Sequence, residues 1–191
     1  MESKQTQLLQ TYETLLVSWD KTHNLISFGQ RKNLKQHIED SLSVSLMIGK
    51  YVVDLGSGGG LPGIPLAITN PQKQFLLVES NTKKASFLLN TVTKLNLHNT
   101  EVINDRIENI DSSNFPDRFD IVSRAVGSIE ANIALTEQLL KKKGVYLKLM
   151  KTEDQFFKEH LPTGYNVKKI DKYLTKTKDK TRILVTIEKV Q

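Results

Sequence analysis

Cysteine is absent from the 191 residues of this chain. Disulfide bonds, thiolate nucleophiles and cysteine-ligated metal centres are therefore excluded, and we predict no metal site. Long hydrophobic runs are also missing, since no stretch approaches the ~20 apolar residues that a membrane-spanning helix needs. Residues 1–7 are polar and lack the apolar core of a signal peptide. We expect a soluble, cytoplasmic protein with no membrane partner.

Acidic residues are scarce in only one part of the chain. Residues 1–140 hold 13 Lys and Arg against 15 Asp and Glu, whereas residues 141–191 hold 14 against 6. The net charge of +6 thus arises in the C-terminal quarter. Such an asymmetry is typical of a polyanion partner such as RNA, and equally of a lysine-rich solvated surface. Charge alone leaves both interpretations open.

Apolar periodicity predicts two amphipathic helices before residue 50, one from Leu8 through Trp19 and one over residues 34–46, with a loop at residues 19–27 between them. Strand and helix patterns alternate after that point. Strands are predicted at residues 52–55, 75–79, 100–104, 119–124 and 145–150, followed by two late candidates at 165–174 and 182–188. A helix through Ile133 and Leu140 is expected to end at Gly144 before the fifth strand, and a short helix is expected around residues 155–157 after it.

This alternation predicts an α/β fold with a mostly parallel sheet, helices on both faces and an antiparallel edge strand. We expect residues 1–50 to form an N-terminal helical cap. Residues 51–191 are predicted to form the main domain as a single compact unit. No feature of the sequence indicates a protein partner, and we expect a monomer.

A glycine-rich turn after the first strand is the most informative segment. Val52 to Leu55 form the strand, and glycines at positions 56, 58, 59, 60 and 63 follow it. Glycine permits positive φ and lets backbone N–H groups approach a ligand closely. A helix that starts immediately afterwards offers its unpaired amides to an anionic group. The segment predicts a nucleotide-like ligand.

Two ligands fit this turn. Gly58, Gly60 and Gly63 match the Gly-x-Gly-x-x-Gly pattern of dinucleotide enzymes, with Glu79 at a plausible distance. Asp54, Gly56, Gly58 and Gly60 match Asp-x-Gly-x-Gly-x-Gly, which resembles the first motif of the Rossmann-like class I S-adenosylmethionine (SAM) methyltransferases and leaves no residue of the segment unexplained. Those enzymes also have an antiparallel addition at the sheet edge. We favour SAM on motif fit. Glu79 ends the second strand, where its carboxylate could accept both ribose hydroxyls of an adenosine.

Four segments, spread over most of the chain, resemble the small-subunit ribosomal RNA guanine-N7 methyltransferases, the RsmG or GidB family. They are Trp19 with Asn24-Leu25, His37-Ile38-Glu39-Asp40-Ser41-Leu42, Asp54-Leu55-Gly56-Ser57-Gly58-Gly59-Gly60-Leu61-Pro62-Gly63-Ile64-Pro65-Leu66, and Val122-Ser123-Arg124-Ala125. The glycine motif alone indicates a methyltransferase. Its Leu-Pro-Gly-Ile-Pro extension together with Ser-Arg-Ala is far more specific.

The resemblance implies that the substrate is 16S ribosomal RNA, free or in the small subunit. It also implies a role for each of several residues. Gly56 and Leu61 would contact the methionine part of SAM, and Gly58 would allow its close approach. Glu79 would hold the ribose, although the family more often has Asp there, and Ile107 and Glu108 would flank the adenine. Arg124 would face both the transferred methyl group and the incoming guanine.

The chemistry implied by the resemblance needs no general base, because guanine N7 carries a free lone pair at neutral pH, and alignment supplies most of the catalysis. Arginine pairs readily with the O6 edge of guanine. An alternative for Arg124 is an ion pair with Asp120 or Glu79. For His37 and Asp40 we favour a structural hydrogen-bonded pair.

Two positions depart from the family pattern. Met150 stands where the family has a lysine at the end of strand five, and Val126 stands where an aromatic residue often follows Ser-Arg-Ala.

We expect RNA backbone contacts from basic residues of the C-terminal quarter, namely Lys141, Lys142, Lys143, Lys148, Lys151, Lys168, Lys169, Lys172, Lys176, Lys178, Lys180 and Arg182. Two other functions remain open: methylation of a small molecule or protein, and RNA binding without catalysis.

Overall fold

The computed structural model describes residues 3–124, 126–173 and 182–190. The helices are α1 Lys4–His23, α2 Phe28–Lys32, α3 Leu34–Ser43, α4 Gly63–Thr69, α5 Thr82–Leu95, α6 Ile129–Leu140 and α7 Glu153–Phe156. The strands are β1 Tyr51–Leu55, β2 Gln74–Val78, β3 Thr100–Ile103, β4 Phe119–Arg124, β5 Val145–Thr152, β6 Tyr165–Tyr173 and β7 Arg182–Lys189. Short 3-10 turns lie at Ser45–Met47, Ile107–Asn109 and Ser112–Asn114.

The strands form one seven-stranded sheet in the order β3-β2-β1-β4-β5-β7-β6. The first five are parallel, and β7 joins β5 in antiparallel register, as β6 joins β7. The chain runs outward from β1 through β2 to β3 and then resumes on the other side of β1 with β4. The strand order therefore reverses between β1 and β4, which is where ligands bind in open α/β sheets. The predicted fold class is confirmed.

Both faces of the sheet are covered. Val52 on β1 packs into a core with α1, α3, α4 and α5, whereas the next residue, Val53, packs on the opposite face with α6. Successive strand side chains point to opposite faces, so β1 and β2 are mostly apolar because helices lie on both sides. Tyr12 and Leu16 of α1 belong to the first core. The N-terminal helices thus share a core with the sheet, and the boundary at residue 50 stays a prediction.

The helix boundaries differ from the predicted ones at three places. Helix α1 continues through the predicted loop to His23, and it ends because Asn24 adopts a left-handed conformation with φ 49°. An additional helix, α2, precedes the predicted second helix and starts at a capping box formed by Ser27 and Gln30. The predicted helix over residues 34–46 is divided into α3, which ends at Ser43, and the 3-10 turn Ser45–Met47. Helix α6 ends at Leu140, and Gly144, with φ 89°, forms the turn into β5.

Candidate functional site

Two glycines of the turn after β1 are required by the positions of their neighbours. Gly56 has φ 67°, and a Cβ atom there would lie 2.8 Å from Cγ2 of Val126. A Cβ on Gly63 would lie 2.5 Å from Oδ2 of Asp54. Any larger side chain at either position therefore displaces the turn. The turn is held tightly between the end of β4 and the start of α4.

Asp54 fixes the start of α4. Its Oδ2 accepts a hydrogen bond from the amide of Gly63 at 3.0 Å, and its side chain is buried. Burial raises the pKa of Asp54 to about 7, against the lowering effect of its hydrogen bond from Gly63. This carboxyl lies directly beneath the candidate ligand-binding turn.

The raised pKa of Asp54 predicts a specific pH dependence of stability. Between pH ~4, the pKa range of an unfolded Asp, and pH ~7 the native state binds more protons than the unfolded state. The free energy of unfolding should therefore fall as pH rises through this window, by up to about 1.4 kcal/mol per pH unit. Asp54→Asn should remove this component, which urea unfolding at several pH values would measure.

Asp117→Asn is the matched control for that experiment, because Asp117 is exposed. We expect it to keep the slope of the parent protein. An Asp54→Asn variant with the same slope as the parent would contradict a protonated Asp54 in the native state.

Glu79 connects the glycine turn to the next helix. Its Oε2 accepts the amide N–H of Gly58 at 2.8 Å, and its Oε1 accepts that of Asn81 at 2.8 Å. Asn81 in turn caps α5 by accepting the amides of Lys83 and Lys84. The carboxylate is 6% exposed, so a ribose would have to share oxygens that already accept backbone hydrogen bonds.

A small cavity of about 140 Å³ lies beyond the carboxyl ends of β1 and β2. Gly56, Val78, Ile107, Glu108 and Val126 are among the residues that line it. The structure thus brings together three of the residues expected at the cofactor. Neither of the other two glycine-turn residues, Gly58 and Leu61, is in the lining.

The backbone of the turn explains which of its groups remain available. The amide of Gly56 donates to the carbonyl of Val78 at 2.9 Å, and that of Gly58 donates to Glu79. Tyr12 of α1 donates its hydroxyl to the carbonyl of Gly59 at 2.7 Å. In the sequence, Tyr12 lies in the apolar stripe of the first predicted helix. Its position in the helix gave no sign of the polar contact, which spans 47 residues of chain.

A larger cavity of about 780 Å³ opens beyond β4 and β5. Arg124, His37, Gly127, Met150 and Arg182 are among its lining residues. Val126 lines the small cavity and Gly127 the large one, so the two cavities approach each other at the carboxyl end of β4. Both departures from the family pattern therefore lie in cavity walls, Val126 in the small one and Met150 in the large one.

Arg124 is held in a buried network on the wall of the large cavity. Its side chain is 8% exposed, and Nη2 lies 3.4 Å from Oδ2 of Asp40. Nη1 donates to the carbonyl of His37 at 3.0 Å and to Oγ of Ser41 at 3.3 Å, and Nη2 also contacts Nδ1 of His37. The guanidinium thus joins β4 to α3.

The alternatives considered for these residues from sequence were wrong in detail. Arg124 pairs neither with Asp120, which pairs with Lys148 at 2.9 Å, nor with Glu79. His37 and Asp40 do not form a hydrogen-bonded pair, because both oxygens of Asp40 lack a hydrogen-bond partner. His37 and Asp40 each contact Arg124 instead. The cause is that α3 packs across the end of β4, a contact between residues more than 80 positions apart.

The network affects the charge states of its members. Burial, followed by the neighbouring Arg124, lowers the pKa of His37 to about 4. Burial, followed by Asp40, raises the pKa of Tyr173 far above its usual range. The second cation of the network, Arg182, places its Nε 3.9 Å from Oδ1 of Asp40. At neutral pH the imidazole is uncharged, while one buried carboxylate faces two guanidinium groups.

Several lysines proposed to contact RNA are engaged within the protein. Lys148 is 12% exposed and pairs with Asp120, so its predicted RNA contact is wrong. Lys151, also 12% exposed, pairs with Glu159 at 2.7 Å. The more exposed Lys168, Lys169 and Lys172 pair with Glu188, Asp171 and Glu153. Three further candidates lie outside the described residues: Lys176, Lys178 and Lys180.

Within residues 3–124, 126–173 and 182–190, none of the helices combines the length and the apolar character of a membrane span. No group of three or more His, Asp or Glu side chains there could hold a metal ion.

Comparison with known sequences identifies relatives across almost the whole chain. Residues 5–185 match the family model described as GidB, rRNA small subunit methyltransferase G. The protein named ribosomal RNA small subunit methyltransferase G from Hydrogenovibrio crunogenus is 38% identical over 184 residues, covering 94% of this chain and 83% of that protein. The protein of the same name from Xanthomonas campestris pv. campestris is 37% identical over 181 residues, covering 93% and 84%.

Comparison with solved structures supports the fold. A SAM-dependent methyltransferase from Aquifex aeolicus is similar with a TM-score of 0.58 at 15% identity, covering 85% of this chain and 99% of that one. A Streptococcus agalactiae protein of the NADB-Rossmann superfamily is similar with a TM-score of 0.59 at 15% identity, covering 80% and 68%. At this identity the likeness concerns the fold alone. The choice between SAM and a dinucleotide follows from the sequence relatives.

Proposed function

The chain belongs to the GidB family of rRNA small subunit methyltransferase G proteins, and from this premise we propose that it transfers a methyl group from SAM to N7 of a guanine in 16S ribosomal RNA. The observation that carries the proposal is the pair of adjoining cavities at the carboxyl end of β4. One is lined by Ile107 and Glu108, the residues expected to flank the adenine, and the other is lined by Arg124.

The small cavity fits the adenosine part of SAM. Val78, Ile107 and Val126 supply apolar walls, and Gly56 leaves space that a Cβ atom would fill. Glu79, next to Val78, would accept the ribose hydroxyls with the lone pairs that remain on its oxygens. The carbonyl oxygen of Gly56 would accept a hydrogen bond from the ammonium group of the methionine part of SAM. The amide of Gly56 already donates to the carbonyl of Val78. Bound SAM supplies an electrophilic methyl group on a sulfonium.

The residues of the large cavity position the target rather than move protons. A guanine N7 needs no deprotonation, so the side chains must hold the base and exclude competing orientations, and good alignment is worth about 7–11 kcal/mol. The cavity volume of about 780 Å³ leaves room for a nucleotide that has left its stack. Lys84 and Arg182 on its wall would attract phosphate.

The decisive experiment is the identification of the methylated nucleoside. We expect purified protein to transfer a labelled methyl group from SAM to 16S ribosomal RNA from a strain without this activity, and nucleoside analysis to yield 7-methylguanosine. Free RNA and intact small subunits should be tested in parallel. Label in another nucleoside, or in a small molecule or protein, would refute the proposal. SAM binding without any transfer would instead favour RNA binding without catalysis.

A further inference from the structure

We propose that His37 contacts the target base, donating a hydrogen bond from Nε2 to O6 of guanine, and that Arg124 is a positioning residue that fixes the imidazole tautomer. This inference rests on the proposed function. Its starting point is that the large cavity contains Arg124 with a guanidinium already occupied by His37, Asp40 and Ser41. Between Arg124 and His37, the histidine is therefore the one with a nitrogen available to a base.

The tautomer of His37 follows from its partner. Arginine has five N–H donors and no acceptor, so the Nη2 contact with Nδ1 requires the lone pair of the imidazole at Nδ1. A neutral imidazole carries one proton, which must then be on Nε2. The structure gives Nε2 no hydrogen-bond partner among the described residues, and the half-buried ring lines the large cavity. His37 thus presents one N–H donor to whatever enters.

A donor on this wall discriminates between purines. Guanine presents the O6 and N7 acceptors side by side, whereas adenine presents an N6 amino donor beside N7. A hydrogen-bond donor held opposite this position finds the O6 acceptor in guanine. In adenine it faces the N6 amino group, which is also a donor. Leaving such a donor or its partner unpaired in a buried site costs about 1–3 kcal/mol. The contact would thereby select guanine while N7 remains free for methylation.

The neutrality of His37 suits the reaction. Methyl transfer from a sulfonium to N7 forms a C–N bond and breaks a C–S bond, and the positive charge moves from sulfur to the purine. A cation beside the base would oppose that movement. The charge of Arg124 is instead balanced by Asp40 at 3.4 Å, so an uncharged donor is what faces the base.

The charged groups around His37 keep it neutral over the working range. Arg124 and Arg182 disfavour protonation of the ring, whereas Asp40 favours it, and burial decides the balance against the charged form. The other charged residues of the same cavity wall are Lys84, Lys151 and Glu159. We therefore expect no loss of activity from His37 titration between about pH 5.5 and pH 8.

The test combines variants of His37 with a base analogue. The target nucleotide is first located by its label, and RNA is then ligated with either guanine or 2-aminopurine at that position, since 2-aminopurine keeps N7 and lacks O6. With the parent protein, the loss of O6 should lower kcat/KM about tenfold to a hundredfold. His37→Phe should show a similar loss with guanine and less than about a threefold further loss with 2-aminopurine. His37→Gln, which retains a side-chain N–H donor, should recover part of the activity with guanine.

The positioning role of Arg124 has a separate readout. Nitrogen NMR of the parent protein should show the imidazole protonated at Nε2. In the double variant Asp40→Asn/Arg124→Met the pKa of His37 should rise above about 4, because the lowering effect of Arg124 exceeds the raising effect of Asp40. A pKa that stays at its parent value would remove Arg124 from this role.

The outcomes separate the inference from the function on which it rests. No transfer to guanine N7 by the parent protein refutes the proposed function. If the parent is active, then equal O6 dependence in the parent and in His37→Phe refutes the contact, because a purely structural histidine lowers activity with both bases alike. A protonated Nδ1 in the parent protein also refutes it.

Discussion

Replacement of Arg124 by methionine is expected to lower methyl transfer by about a hundredfold, through loss of the His37 contact that it positions, and to destabilise the fold at the same time. The guanidinium makes three hydrogen bonds to α3 and one ion pair with Asp40, so its removal displaces the wall of the large cavity. It also deprives a carboxylate that is 5% exposed of its nearer cation, since Arg182 lies 3.9 Å away. Breaking one side of a buried pair costs about 3–5 kcal/mol. Urea unfolding and single-turnover kinetics would measure the two effects.

A double variant separates stability from activity. Asp40→Asn/Arg124→Met removes both charges, and replacement of both partners is far less costly than removal of one. We expect it to regain most of the lost stability and little of the lost activity. Lys189→Met is the matched control, because Lys189 is not an expected RNA contact and its partly exposed pair with Glu137 should contribute at most about 1 kcal/mol. If Arg124→Met has activity close to that of the parent, Arg124 does not contribute to methyl transfer.

The sequence was sufficient for those parts of the site that depend on local order. Strand β1, the turn and α4 follow one another within twenty residues, so the strand pattern, the glycines and Asp54 define the cofactor end of the sheet directly. Glu79 was predicted for the same reason, as the residue after β2. In a parallel sheet the ends of neighbouring strands meet at one edge, and the alternating pattern alone places these residues together.

The partners of Arg124 could not be found in this way. They lie on α3, and the contact depends on how that helix crosses the end of β4, which no spacing within the sequence determines. The sequence offered two acids near Arg124 or near the strand ends, Asp120 and Glu79, and both have other partners. Only the family resemblance drew attention to His37 and Asp40, without indicating what they contact.

The engagement of Lys148 within the protein could have been predicted from its position in a strand, which a count of charged residues does not use. Lys148 lies in the middle of β5, between the buried residues Leu147 and Leu149. A central strand covered on both faces buries the stem of every side chain, and a lysine there needs a carboxylate or carbonyl partner. Lys148 has Asp120 and the carbonyl of Met47. Secondary structure was thus a better guide than net charge to which lysines are available for RNA.

Replacement of Glu79 by alanine is expected to weaken SAM binding about a hundredfold or more. The variant loses the acceptor for the ribose and also the two hydrogen bonds that hold the amides of Gly58 and Asn81 at 2.8 Å. Hydrogen bonds to charged groups contribute about 1.5–3 kcal/mol each. Glu79→Gln keeps one oxygen but turns an amide N–H toward a backbone donor, so an intermediate loss is expected. Calorimetric titration with SAM would give both values.

Two comparisons distinguish ribose binding from support of the turn. Glu101→Gln alters an exposed carboxylate on β3 and should bind SAM like the parent. Adenosine and 2′,3′-dideoxyadenosine should differ in affinity for the parent by about tenfold or more, the value of one or two charge-assisted hydrogen bonds. They should bind Glu79→Ala almost equally, because the hydroxyls then have no carboxylate to meet. If the parent fails to distinguish the two nucleosides, Glu79 supports only the turn, and the ribose is held elsewhere.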